Sequence, residues 1–195
     1  MYIAIEGIDT AGKSTQIELL KQKFPDAIIT KEPGGTEVGK EIREIVLNAK
    51  TSSKRAEFLL FLADRAEHIK QIVKPNLSKT IISDRSAISG VAYALTQQEI
   101  SENELVMLND FATQKIYPQL VFLLKLTKEE LNSRLSQKQL DGIELRGSEY
   151  LLDIQNNITT ASRLLGIKLI EIDATQSIED IHKTILTNIL RSQND

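Results

Sequence analysis

The stretch Gly7-Ile8-Asp9-Thr10-Ala11-Gly12-Lys13-Ser14 fits the pattern G-x-x-x-x-G-K-S, and the residues on either side give that pattern a structural meaning. Tyr2-Ile3-Ala4-Ile5 before it is a short apolar run that reads as a strand. After it, residues 14–24 place Ile17, Leu20 and Phe24 at the spacing of one helix face. A strand–loop–helix unit of this kind aims backbone N–H groups and a helix N-terminus at one point, which suits a polyphosphate. Lys13 is then expected to reach the β- and γ-phosphates, and the Ser14 hydroxyl to hold Mg2+. An ordinary glycine turn has no use for both Lys13 and Ser14, so the stretch predicts a nucleoside triphosphate site.

The composition agrees with a globular nucleotide binder. The 195 residues, 41% hydrophobic and 26% charged, suffice for one domain with a sizeable core over the whole chain. A formal net charge of −3 gives no reason to expect a nucleic-acid or acidic-membrane partner. The absence of cysteine excludes disulfides and thiolate metal sites and agrees with a reducing, cytoplasmic setting. Glu6 and Asp9 come early, and neither a signal peptide nor a transmembrane span is read.

Further along, Ala27-Ile28-Ile29-Thr30 reads as a buried strand that runs into Lys31-Glu32-Pro33-Gly34-Gly35-Thr36, a loop by its Pro-Gly-Gly. A helix is predicted over residues 38–47. A second and longer one runs to about Val73, with Ala56, Leu59, Leu60, Ala63, Ile69, Ile72 and Val73 on its inward face. Thr80-Ile81-Ile82-Ser83-Asp84 is a strand ending in a carboxylate, followed by a helix over residues 86–93 and a polar loop over 96–101. Ser101-Glu102-Asn103-Glu104 is a capping box for a helix to about Thr113. Residues 120–124 and 168–172 are the last two strands, Thr127 caps a helix between them, and residues 137–147 read as a lid-like loop. Helices follow over residues 151–165, with Gly166 at their end, and over residues 177–190. Short apolar strands alternating with helices mean a parallel sheet covered on both faces.

In such sheets ligands sit beyond the carboxyl ends of the strands, which singles out Asp9, Lys13, Glu32 to Thr36, Asp84, Arg85 and Lys125. Asp84 stands where a second Mg2+-linked carboxylate often follows a strand, and Arg85 points into the same crevice. Arg43 and Arg65, taken singly, read as solvated surface residues. Together with Lys13 and Arg85 they supply the cations that a second phosphate group needs.

Four stretches carry a resemblance to a known family. They are Ile5 to Asp9 with Gly12 to Thr15; Thr30 to Thr36 with Ile42-Arg43; Leu60-Phe61-Leu62-Ala63-Asp64-Arg65; and Ser83-Asp84-Arg85 with Ser89-Gly90-Val91-Ala92-Tyr93. In this order they resemble the thymidylate kinases, which transfer a phosphoryl group from ATP to dTMP. The resemblance implies a three-layer P-loop NTPase fold, α/β, with a five-stranded parallel sheet and helices on both faces. It implies ATP bound by Gly7, Ile8, Asp9, Thr10, Ala11, Gly12, Lys13, Ser14 and Thr15, Mg2+ held by Ser14 and Asp84, and catalysis by Lys13, Asp9, Arg85 and Asp84. For dTMP it implies Phe61 stacked on the base, Arg65 at the base edge, and Arg43 and Arg85 on the phosphate. Asp9 then lies near the 3′-hydroxyl, Gly90 and Tyr93 shape the sugar and base pocket, and Glu32, Pro33 and Ser89 complete it. A homodimer through helices near residues 53–75 is also implied.

The sequence departs from the family at Thr10, where some members carry an arginine and others place several arginines in the lid. Arg134 or Lys138 is the expected replacement for that charge, Arg146 reads as a solvated loop residue, and His68 and His182 are given no role. The competing readings are a deoxynucleoside kinase or other P-loop nucleotide kinase, and a regulatory GTPase. For the GTPase the guanine-reading Asn-Lys-x-Asp is absent.

Overall fold

The computed structural model describes residues 1–48, 51–137 and 146–194. Its strands are β1 (Tyr2–Glu6), β2 (Ile28–Lys31), β3 (Ile81–Asp84), β4 (Leu120–Lys125) and β5 (Leu169–Asp173). Its helices are α1 (Lys13–Lys23), α2 (Glu37–Leu47), α3 (Lys54–His68), α4 (Ala87–Gln97), α5 (Glu102–Thr113), α6 (Lys128–Leu135), α7 (Ser148–Leu164) and α8 (Ile178–Asn194).

All strand pairs are parallel, in the order β2-β3-β1-β4-β5. Right-handed crossovers decide where the helices go. The step from β1 to β2 runs towards one edge, and every later step runs towards the other. This sets α1 on one face and α2 to α7 on the opposite face. After β5 the chain returns, and α8 packs beside α1. On the other face α4 lies along α7, and α3 contacts α2, α4 and α5. The direction of the connections therefore reverses between β1 and β3, the position where ligands bind in open α/β sheets.

β1, β3 and β4 are buried apolar runs, as expected of central parallel strands. β2 differs from its reading as a buried strand: it is an edge strand whose residues alternate between half-buried and exposed. β5 closes the opposite edge and is likewise only partly covered. An apolar run of four or five residues marks a strand without marking its place in the sheet.

The long helix also shifts from its expected shape. α3 ends at His68 and continues as a π-helical turn, Ile69–Val73, and a 3-10 turn, Lys74–Asn76. Within α3 itself the buried face runs through Phe58, Leu62 and on to Ile69, at spacings of four and seven, while Leu59 and Ala63 are exposed. α4 runs to Gln97, past its predicted end, and stops at Gln98 in the left-handed conformation. The Ser101 capping box forms as read, with both reciprocal hydrogen bonds present. Gly166 lies past the end of α7 with φ +65°. Among the described residues, no helix is long and apolar enough to cross a membrane.

Candidate functional site

The phosphate loop begins where β1 can no longer continue. Gly7 adopts φ +149°, and a Cβ on it would lie 2.9 Å from the Leu124 carbonyl oxygen of β4, so the loop leaves the sheet in contact with its neighbour. Thr10 and Gly12 also have positive φ, and Gly12 opens α1. Lys13 folds back, donating to the Ile8 carbonyl at 3.2 Å and lying 3.7 Å from an Asp9 oxygen. Burial, with the Arg85 guanidinium nearby, lowers the Lys13 ammonium to about 8, and an anionic ligand beside it would favour its charged form. Ile8 and Ala11 are buried beneath the loop, leaving backbone to face a ligand.

From β3 comes the second half of the site. Arg85 sits at φ +69°, and its guanidinium is spent on fixing the loop opposite. One nitrogen donates to the Gly7 carbonyl at 3.0 Å and to Ser89 Oγ at 3.2 Å, and another donates to Asp9 Oδ1 at 2.7 Å. Beneath it Glu6 is wholly buried and accepts from the hydroxyls of Ser86 and Ser89. Burial raises the Glu6 carboxyl, while those hydroxyls and Arg85 oppose the rise. Asp84 lies one residue earlier, and its Oδ1 is buried without a hydrogen-bond partner.

The third contribution is the loop after β2. It is bound to the sheet by the Glu32 N–H, which donates to the Asp84 carbonyl, and it contains a cis Glu32–Pro33 bond. Arg43 of α2 donates to the Pro33 carbonyl, and the Gly34 N–H donates to Asp64 Oδ1 at 2.9 Å. Thr36 caps α2 through the Gly39 N–H. Glu32 itself is held by Arg65 and His68 of α3.

Two clefts result. One is lined by all ten residues that the resemblance gives to dTMP: Asp9, Glu32, Pro33, Arg43, Phe61, Arg65, Arg85, Ser89, Gly90 and Tyr93. Leu47, Asp64 and Ser86 add to its wall and were not among the expected residues. The other cleft is lined by Thr10, Gly12, Lys13, Ser14, Thr15 and Asp84. Asp9, Glu32, Arg43 and Arg85 line both, so the clefts meet along one row of charged side chains.

Arg65, read from sequence as a surface residue when taken alone, is only 2% exposed. His68, given no role, is fully buried between Thr30 and Glu32. Arg134 donates to the carbonyls of Thr10 and Ala174 and to Glu130, which fastens the phosphate loop to the turn after β5. Lys138 lies outside the described residues, as does most of the predicted lid over 137–147. Arg146 is exposed, and its guanidinium lies over the Tyr150 ring. Lys125 pairs with Glu171 of β5, away from the clefts' lining residues. Nothing in the sequence pattern marked Glu6 as the hub below Arg85 or Asn109 as a partner of Arg65, because both depend on contacts across dozens of residues.

Asp64 gives the site a pH signature. Burial pushes its carboxyl from 3.8 up to about 6, against the opposing Gly34 N–H. Between about pH 4 and pH 6 the folded chain thus holds a proton that the unfolded chain releases. The contribution of Asp64 to stability is therefore largest below that window and falls by about 2–3 kcal/mol as pH rises through it. Asp64→Asn keeps an oxygen acceptor for Gly34 and removes the titration. Its thermal midpoint should gain on that of the native chain between pH 4 and pH 8; a difference that does not vary with pH would refute this assignment.

A phosphate loop at the reversal point of a 2-3-1-4-5 parallel sheet, opening beside a second cleft, defines a P-loop nucleotide-binding α/β protein. The family model for thymidylate kinase matches residues 5–185. The chain is 71% identical over 189 residues to the thymidylate kinase of Sulfurimonas denitrificans, covering 97% of this chain and 99% of that one. It is 54% identical to that of Sulfurovum sp. over 187 residues, covering 96% and 98%. The crystal structure of thymidylate kinase from Ehrlichia chaffeensis superposes with a TM-score of 0.75 at 25% identity, covering 97% of this chain and 98% of the other. The chain belongs to the thymidylate kinase family.

Proposed function

We propose that this chain phosphorylates dTMP to dTDP with ATP and Mg2+, as one kinase domain over residues 1–195 with its lid at about 137–147, supporting dTTP synthesis in the cytoplasm. The observation that carries this reading is the row Asp9, Glu32, Arg43 and Arg85 shared by the two clefts. A monophosphate seated between Phe61 and Tyr93 with its phosphate against Arg43 and Arg85 faces the phosphate loop directly. Such placement suits attack by a phosphate oxygen, which needs charge screening and alignment more than a base. Lys13 and the loop amides hold the β- and γ-phosphates of ATP, and Asp9, held by Arg85, lies near the acceptor sugar.

Mg2+ fits the residues present. Among the described residues no group of three or more acidic or imidazole side chains is gathered for a metal. Mg2+ in phosphoryl transfer needs only one or two protein oxygens, the phosphates and water supplying the rest. Ser14, exposed at the start of α1, and the unpartnered Asp84 Oδ1 line one cleft and would hold it. When bound, the ion neutralises charge on the phosphate oxygens. Arg134 at the Thr10 carbonyl, or Lys138, would supply the charge that Thr10 does not.

A coupled ADP-release assay with each nucleoside monophosphate tests the reading. Turnover should be stimulated by dTMP far above dAMP, dCMP or GMP; no such preference would refute it. Thymidine in place of dTMP separates this reading from a deoxynucleoside kinase, whose acceptor brings no phosphate for Arg43 and Arg85.

Assembly as a homodimer through α3 is supported by its exposed Leu59 and by Met107 and Phe111 of α5, which are 56%, 62% and 85% exposed. Light scattering should give twice the 21.9 kDa chain mass, and a monomer at micromolar concentration would remove the proposal.

A further inference from the structure

We infer that His68 is a positioning residue for acceptor selection, acting through Glu32 and opposite Asn109 to aim the Arg65 guanidinium into the acceptor cleft. This rests on the proposed dTMP reading and adds to it residues that do not line the cleft. The observation is a continuous buried chain across three elements. Thr30 Oγ1 of β2 lies 2.7 Å from His68 Nε2, and His68 Nδ1 lies 2.7 Å from Glu32 Oε1. Glu32 Oε2 accepts from Arg65 Nε at 3.0 Å, and an Arg65 terminal nitrogen donates to Asn109 Oδ1 at 2.9 Å.

Each link has its orientation fixed. A carboxylate only accepts, so His68 Nδ1 carries the proton that binds Glu32. Burial alone would raise the Glu32 carboxyl, but Arg65 and His68 together outweigh it and hold it below its ordinary value. Asn109 spends its amide nitrogen on the Leu105 carbonyl of its own helix, which leaves its oxygen for Arg65. With two edges of the guanidinium engaged, the remaining terminal nitrogen passes over Gly90. A Cβ at that position would stand 2.7 Å from it. Arg65 and Gly90 both line the acceptor cleft.

A guanidinium only donates, so an edge held in place favours a base with a ring carbonyl over one with an exocyclic amino group. Buried ion pairs contribute little net stability compared with apolar replacements, so stability alone does not account for this chain. With leucine at position 68, one Glu32 oxygen loses its donor and the carboxylate can swing, tilting the guanidinium it grips.

The test compares His68→Leu, His68→Asn and Asn109→Leu by steady-state kinetics with dTMP and dCMP. His68→Leu and Asn109→Leu should each raise KM for dTMP about tenfold and shrink the dTMP-over-dCMP preference by a similar factor, with kcat and the ATP KM nearly unchanged. His68→Asn, whose amide nitrogen reaches the place of Nδ1, should recover most of the preference. Where His68→Leu does not fold, Thr30→Val, which frees the far end of the ring, should shift the same ratio in the same direction. Equal losses of kcat for both acceptors with an unchanged ratio would overturn the proposal and leave a structural role. Absence of a dTMP preference in the native chain would instead overturn the functional reading on which it rests.

Discussion

Arg85→Lys should lower kcat/KM for dTMP phosphorylation by about a thousandfold, close to 4 kcal/mol of transition-state stabilisation. The substitution keeps the charge and removes the fork. Arg85 donates to the Gly7 carbonyl, to Ser89 Oγ and to Asp9 Oδ1 from two different nitrogens. A lysine ammonium is a point charge on a flexible stem and cannot span those three acceptors at once. Because two of the three belong to the phosphate loop, the defect should reach the nucleotide side as well, with the ATP KM rising by about tenfold. Steady-state kinetics with each substrate varied in turn measures both effects. A loss below tenfold in kcat/KM would show that the fork is dispensable; an unchanged ATP KM would show that the loop holds its shape without it.

Gly35→Ala should be the most damaging single-methyl change in the loop after β2. A Cβ there would lie 2.7 Å from the Lys31 carbonyl oxygen, 2.8 Å from His68 Cδ2 and 2.9 Å from Thr30 Oγ1. The first contact is backbone of a sheet strand and cannot give way, while the other two are members of the buried chain that reaches Arg65. Overpacking of this kind costs about 1–3 kcal/mol, which corresponds to a fall in thermal midpoint of about 3–10 °C for a chain of this size. Since the displaced groups lead to Glu32 and Arg65, KM for dTMP should rise more than KM for ATP. Calorimetry and kinetics on one preparation decide the matter. A variant as stable as the native chain, with unaltered acceptor KM, would show that the loop has room to move.

These two positions also mark what could be read from sequence and what could not. The phosphate loop, the Asp84-Arg85 strand end and the Ser101 capping box are local patterns, and each fixes structure within a few residues. The alternation of short apolar runs with helical periods gave the parallel sheet for the same reason. What stayed hidden depends on three-dimensional neighbours. β2 and β5 read as short strands like β4, yet they form the edges, because strand order is decided by which crossovers the helices make. Leu59 and Ala63 read as inward because apolar residues crowd this helix closely enough to fit more than one face, and the buried one runs through Phe58, Leu62 and Ile69. Arg65 taken singly read as solvated, and His68 was given no role, because nothing near them in sequence shows that Glu32 and Asn109 wait on other elements. Charged residues announce themselves in a sequence, whereas their partners do not.

The place of β1 in the sheet also bears on how the chain is made. β1 lies between β3 and β4, so it gains both neighbours only once residues 81–84 and 120–125 have been synthesised. Gly7 packs against the Leu124 carbonyl oxygen, so even the first turn of the phosphate loop leans on β4. The loop is thus shaped only after β4, more than a hundred residues further along, has been made. Until then the nascent chain carries the nucleotide-binding residues without a surface to present them.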